Sequence, residues 1–542
     1  KNLRAAYDQG LITEEKIDAA VLRVLTERFR LGEIDSAPVP WDTLEVATTV
    51  DIPSHRRIAL DMARKSMTLL KNDGILPLPK SGKKILVMGP NAVDSAMQWG
   101  NYNGFPTFTT TILDGIREYY PDARYLRGCD HVVSADRVSV FNLFDGGMKG
   151  TYWNGDPSAT APAAEVTYTL PLSFDTGGAT VFAPGVNLTD FSATYSGNFV
   201  PSEDGDYIID LKGGKGREVV RVDGKEVIRR EPGGRNAHTG SYMFHGRKGV
   251  PVNISLDYRH FDDIATLQFD VLAPSREVID FADADVVIFA GGISPKLEGE
   301  EMKVSVPGFR GGDRETIELP SVQRDLVRKA VEAGKQVVFV NCSGSAVALT
   351  PEDSICSAVL QAWYPGQAGG QAVAEVLFGD YNPAGRLPVT FYRDDSQLPD
   401  FEDYSMYGRT YRYFRGEPLY PFGHGLSYTT FGYGEPAVSK EGKDVVLTVP
   451  VTNTGAMDGD EVVQVYLVNP SDPSGPVKTL RAYRRVNIPA GETARVSFTM
   501  TPEAFATFDH TTERMTTRPG TYTLLVGPSS AVTPRSIDVT ID

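Results

Sequence analysis

Three carboxylates stand within four residues at Glu298, Glu300 and Glu301. They lie on a Gly-containing loop that follows the apolar run 285–292 and precedes an amphipathic helix expected from Pro320 to residue 333. In open α/β sheets ligands bind outside the carboxyl ends of the strands. A carboxylate cluster held there suits general acid/base work or a metal site. Solvated surface is the plain alternative. Against it, the stretch from Lys303 to Gly312 carries no acid, and Asp313 and Arg314 close the loop before Leu319-Pro-Ser321.

The elements around the loop follow from periodicity. Residues 53–72 read as a helix, with Ile58, Met62, Leu69 and Leu70 on its apolar side. The run Ile85-Leu-Val-Met88 reads as a buried parallel strand leading to Gly89-Pro-Asn91. It lacks the Gly-rich fingerprint of a nucleotide site, which excludes a nucleotide-dependent enzyme. The turn-rich loop Trp99-Gly-Asn-Tyr-Asn-Gly104 follows, each of its residues read as structural, and then a helix from Thr111. Strands at 336–340 and 357–361 and a helix at 369–378 complete the alternation of a mostly parallel sheet covered on both faces. Between its halves lie short alternating strands with polar turns, among them the hairpin turn at Asp223-Gly-Lys225, so a β-sandwich is inserted there. A second set of alternating strands closes the chain.

A chain of 542 residues exceeds one core, and several domains are expected. Lys and Arg total 54 against 70 Asp and Glu, a net charge of −16. That excludes a nucleic-acid partner, whose phosphates need a basic face, and disfavours an anionic membrane surface. No apolar run approaches the roughly 20 residues of a spanning helix. Cys129, Cys342 and Cys356 have neither disulfide-framework nor metal-ligand spacing, and Cys342 and Cys356 read as buried thiols. His424 lies between glycines with no nucleophile or carboxylate beside it and reads as a structural hydrogen-bonder.

Three runs together carry a family resemblance. They are Leu70-Lys-Asn-Asp-Gly-Ile-Leu-Pro-Leu78, the carboxylate loop with Gly312-Asp-Arg314 and Leu319-Pro-x-x-Gln323, and Tyr420-Pro-Phe-Gly-His-Gly-Leu-Ser-Tyr428. The chain resembles the C-terminal part of glycoside hydrolase family 3, of β-glucosidase or β-xylosidase type. The resemblance implies a retaining, exo-acting β-glycosidase that removes terminal β-D-glucosyl or β-D-xylosyl residues. Its general acid/base is a Glu on this loop. Glu300 matches first, Glu298 is the runner-up and Glu301 the third choice, because the insertion Lys303–Gly311 departs from the shortest family pattern. Asp313 and Arg314 are expected to support the loop. The helical start, with Thr13 capping a second helix and ending in Arg30-Leu-Gly-Glu-Ile34, resembles the last turn of a (β/α)8 barrel, against the alternative of a small helical bundle. A barrel needs about 250 residues, which places the family's Asp nucleophile outside this chain.

The implied fold is α/β plus all-β. Residues 1–50 are the barrel end and linker, and 51–140 and 277–392 the two parts of an α/β sandwich domain. A PA14-like insertion takes 141–276, an aromatic linker 393–434 and a fibronectin type III-like domain 435–542. The turn Gly213-Gly-Lys-Gly216 lacks the acidic pair of calcium-binding PA14 domains, so no metal is expected, and no cofactor is implied. The expected partners are an oligosaccharide or aryl β-glycoside substrate and the N-terminal barrel of the same enzyme, with a homodimer left open. Location cannot be read from the beginning of the chain; a periplasmic or secreted setting is expected. A non-catalytic carbohydrate-binding or scaffolding fragment is the alternative.

Overall fold

The computed structural model describes residues 2–542 except 35–38, 105, 133–136, 177–180, 215, 232–237, 263, 275–278, 301, 303, 510 and 511. The chain forms two units, residues 1–58 and 59–542. The first holds the helices Asn2–Asp8 and Glu14–Arg30. Thr13 takes the N-cap position in extended backbone, but its side chain makes no capping hydrogen bond. No described residue of this unit is buried, and Leu22, Leu25 and Phe29 are exposed. The two helices therefore make no core of their own, contrary to a self-contained bundle.

The second unit is built on one six-stranded sheet. Its strands are β1 (Thr68–Asn72), β2 (Ile85–Met88), β3 (Arg124–Leu126), β4 (Val286–Gly292), β5 (Gln336–Cys342) and β6 (Ala358–Gln361), in the order β1-β6-β5-β4-β2-β3. All neighbours are parallel except β1, which runs antiparallel to β6. The expected helix 53–72 divides here: the helix is Pro53–Ser66, and Leu69 and Leu70 belong to β1. Leu69 is fully buried in one core layer and Leu70 in the other, the alternation of a strand rather than the one-sided stripe of a helix.

Every residue of β2, β4 and β6 is buried, because helices cover both faces of the sheet. Those helices include α1 (Ile112–Tyr119), α2 (Ser321–Glu332) and α3 (Gly369–Leu377). α1 opens with a reciprocal capping box between Thr111 and Asp114. It packs so tightly on α3 that a Cβ at Gly115 would lie 2.1 Å from the Gly370 carbonyl oxygen.

Between β3 and β4 the chain builds a separate β domain. One sheet has six strands, from Lys225–Arg230 at one edge to Ala164–Tyr168 at the other. The facing sheet centres on Gly205–Gly214 and Thr266–Pro274. Their inner faces enclose an aromatic core that includes Tyr152, Phe191, Tyr195, Phe199, Tyr258 and Phe269. The turn at Asp223 and Gly224, both at positive φ, joins strands Gly216–Val222 and Lys225–Arg230 as the hairpin chemistry requires.

The C-terminal sandwich follows residues 393–434, which lie pinned to both neighbours. Asp395 accepts hydrogen bonds from Thr316 Oγ1 (2.5 Å) and Ile317 N–H (2.8 Å). The half-buried ring of His424 reaches the Leu70 carbonyl oxygen through Nε2 (2.9 Å) and stacks on Tyr420. Arg386 and Glu461, both buried, pair at 3.0 Å across the junction, and Tyr433 donates to the same carboxylate at 2.8 Å. Among the described residues, no helix is long and apolar enough to cross a membrane.

The inserted domain carries an acid in a costly place. Glu218 is 1% exposed, and Arg230 stands 3.9 Å from it. Burial pushes its carboxyl up from 4.5 to about 7, with Arg230 opposing. The folded state therefore holds this proton more tightly than the unfolded chain does. Stability of the domain is expected to fall as pH rises from 4.5 to about 7 and to level off above that. Glu218→Gln should flatten that stretch of a melting-temperature-against-pH profile; an unchanged slope would refute the assignment.

Candidate active-site loop

The loop leaves β4 at Gly292 and turns at once, with Leu297 and Glu298 N–H groups both bonded to the Ser294 carbonyl (2.9 and 3.1 Å). It then runs out into a three-stranded ribbon, Ser305–Val306, Phe309–Arg310 and Asp313–Arg314. Phe309, 4% exposed, anchors the ribbon. The insertion that separates the acids from Asp313 is thus folded back on itself. Its return brings Gly312 against Gly299, whose N–H donates to the Gly312 carbonyl at 3.0 Å. Gly312 has φ +92°, and a Cβ there would lie 1.9 Å from the Gly299 oxygen. Only glycine closes the loop in this way.

The carboxylates separate on this frame. Glu298 is half-buried and accepts from Ser345 Oγ at 3.2 and 3.3 Å. Arg314 Nη1 donates to the same hydroxyl (3.0 Å) and to the Ala346 carbonyl (2.7 Å), and its Nε to the Thr316 carbonyl (3.2 Å). Burial lowers the proton affinity of this guanidinium, and Glu298 is the leading charge that opposes the loss. The Tyr364 phenol is pushed up chiefly by burial and then by the same carboxylate. Glu298 thus belongs to a partly buried cluster with Arg314, Ser345 and Tyr364.

Glu300 is exposed, and the Tyr102 hydroxyl donates to its carboxylate. Glu301 lies outside the described residues. Asp313 is exposed on the ribbon opposite Arg310, apart from the contacts of Arg314. Among the described residues, no three His, Cys, Asp or Glu side chains are grouped to share a metal ion.

The loop 99–104 has more than a turn's role. Asn101 Nδ2 donates to the Glu298 carbonyl at 3.0 Å. Tyr102, at φ +52° and 88% exposed, meets Glu300. Sequence reading treated both residues as structural and missed Ser345 altogether. Ser345 follows the end of β5, on the same carboxyl edge as the loop, and that shared edge was the available signal. Trp363, at the end of β6, donates to the Ser66 carbonyl at 3.0 Å and packs its edge near Phe391, as a structural ring does.

The arrangement offers one exposed carboxylate on a closed loop, with a second held beside a guanidinium. Comparison with known proteins gives it a context. The glycosyl hydrolase family 3 C-terminal domain matches residues 67–428, and a fibronectin type III-like domain matches 461–530. A xylan 1,4-beta-xylosidase of Xylanibacter ruminicola is 44% identical over 98% of this chain, which spans 63% of that protein's length. A beta-glucosidase of Rhizobium radiobacter is 31% identical over 98% of this chain, which spans 67% of its length. The crystal structure of a beta-glucosidase from Kluyveromyces marxianus in complex with glucose shares the fold at a TM-score of 0.75 and 24% identity, covering all of this chain and 68% of that one. The match over two thirds of the sequence and the identity to these relatives show that the chain belongs to glycosyl hydrolase family 3.

Proposed function

We propose that this chain is part of a retaining, exo-acting β-glycosidase that releases terminal β-D-glucosyl or β-D-xylosyl residues from oligosaccharides, with Glu300 as its general acid/base. The exposure of Glu300 on a loop closed at both ends carries the reading. A proton donor has to reach the glycosidic oxygen of a substrate, and the carboxylate of Glu298 is already tied to Ser345 beside Arg314. Glu298 is the second choice. The names of the two relatives, a xylosidase and a glucosidase, support both sugars. Their greater length supports an Asp nucleophile on a barrel outside this chain. The inserted sandwich is proposed as PA14-like, and the setting as periplasmic or secreted. A Salmonella typhimurium relative, 37% identical over 46% of this chain, is named a periplasmic beta-glucosidase.

In a retaining enzyme the two carboxyls stand about 5–5.5 Å apart, one attacking the anomeric carbon while the other protonates the leaving oxygen. The same Glu then takes a proton from the water that releases the sugar. The chemistry needs no cofactor. Tyr102 is placed to hold the Glu300 carboxyl in one orientation, and Arg314 to hold the loop through the backbone at 316 and 346.

In an enzyme with a complete barrel, Glu300→Gln should slow hydrolysis of glycosides with poor leaving groups by about 10²–10⁴-fold. First-step cleavage of activated aryl glycosides should be largely spared. Equal losses on both classes would remove Glu300 from the role. Gly312→Ala should lower turnover in the same enzyme, because its Cβ would overlap the Gly299 carbonyl and open the loop; full activity would mean that closure is dispensable. The reading as a whole is tested by assaying this polypeptide alone on aryl β-glucoside and aryl β-xyloside. No turnover is expected, and turnover by a chain of the stated length would place the nucleophile within 1–542.

A further inference from the structure

Asn91 and Gln323 stand out in the sequence but have no part in the proposed chemistry. The structure brings them together. Both are fully buried, and both bond the backbone of the last residues of β4. The Gln323 side chain brackets Gly292: Oε1 accepts from its N–H and Nε2 donates to its carbonyl, both at 2.8 Å. The same Nε2 donates to the His131 carbonyl at 2.8 Å.

Asn91 takes the carbonyls on either side. Its Nδ2 donates to Gly291 (2.9 Å) and Ile293 (3.3 Å), and its N–H donates to Ala290 (3.1 Å). Since Asn91 Nδ2 donates, its Oδ1 accepts, and His131 Nε2, 2.7 Å away, carries the proton between them. The Ile293 N–H goes to the Cys342 carbonyl at 2.9 Å. The backbone leaves no latitude: Gly292 has φ +112°, and a Cβ there would lie 2.1 Å from the Cys342 oxygen.

We propose that Asn91, His131 and Gln323 form a clamp that fixes where and in which direction the chain leaves β4, and so positions the carboxylate loop. They are positioning residues. The link to turnover rests on the reading of Glu300 above; the link to loop order does not. Ser294, whose carbonyl starts the turn at 297–298, is the second residue beyond the clamped Gly292. A tilt of the strand end would be carried to Glu300 and away from Tyr102.

The first test needs only this chain. Gln323→Met keeps the approximate size and removes all three side-chain hydrogen bonds. It should speed amide exchange in a peptide covering residues 296–312 by about tenfold or more. Peptides from the C-terminal sandwich should be unaffected. Asn91→Asp, which keeps the acceptor for His131 and loses the donors, should do the same. His131→Gln, which retains an N–H donor, should preserve protection that His131→Phe loses. Unchanged exchange in Gln323→Met and Asn91→Asp would overturn the clamp. If neither variant folds, these residues are core elements and the positioning role falls.

The second test uses the enzyme with its barrel. Gln323→Met should lower kcat for poor leaving groups while leaving KM and the activated aryl glycosides nearly unchanged. It should add no further loss to Glu300→Gln. Equal loss on both substrate classes would overturn the link to Glu300. If Glu300→Gln itself shows no dependence on the leaving group, the acid assignment fails, and amide exchange still decides the clamp.

Discussion

Backbone polar groups buried away from water must find partners. In this fold that requirement acts at the carboxyl end of β4, where the strand ladder stops but burial continues through Pro295. Side chains replace the missing ladder: Asn91 and Gln323 take the groups at 291–293, and the Cys342 carbonyl takes the next N–H. The glycines at 291 and 292 follow from the same requirement, because a side chain at either would displace the groups that complete the bonding. The carboxylate loop starts from a strand end whose backbone groups are bonded by side chains on neighbouring elements.

From that fixed origin, charge is graded outward. Glu298 is nearest the sheet and is compensated by Arg314, whose own hydrogen bonds go largely to backbone. A guanidinium nearby offsets part of the cost of holding a half-buried carboxylate away from water. Glu300, two residues further along, is exposed, outside the guanidinium's hydrogen bonds, and accepts from the Tyr102 phenol. Two acids of the same type thus acquire different surroundings through a displacement of two residues.

Much of the sheet was legible, since strands buried on both faces read as continuous apolar runs, and β2, β4 and β5 do so. β1 was read as the end of a helix, because Leu69 and Leu70 continue the apolar spacing of the helix before them. Only pairing with β6, nearly 300 residues away, makes them a strand. The inserted sandwich showed in its alternation and polar turns. In the site, acids clustered in sequence could be found, but their partners could not: Tyr102 and Ser345 lie about 200 and 45 residues from the carboxylates they touch. Nothing local to either residue announces that contact. The choice between Glu298 and Glu300 likewise depends on where the Arg314 guanidinium points, which spacing does not encode.

Parallel strands cannot be joined by a tight turn; the chain must return over the sheet before it can run the same way again. Between β3 and β4 that return is a whole β domain. It departs from the carboxyl edge of one strand and comes back at the amino edge of another, with β2 between them. A domain mounted in this way is joined to the sheet through two strands that are not neighbours, rather than through a single stalk.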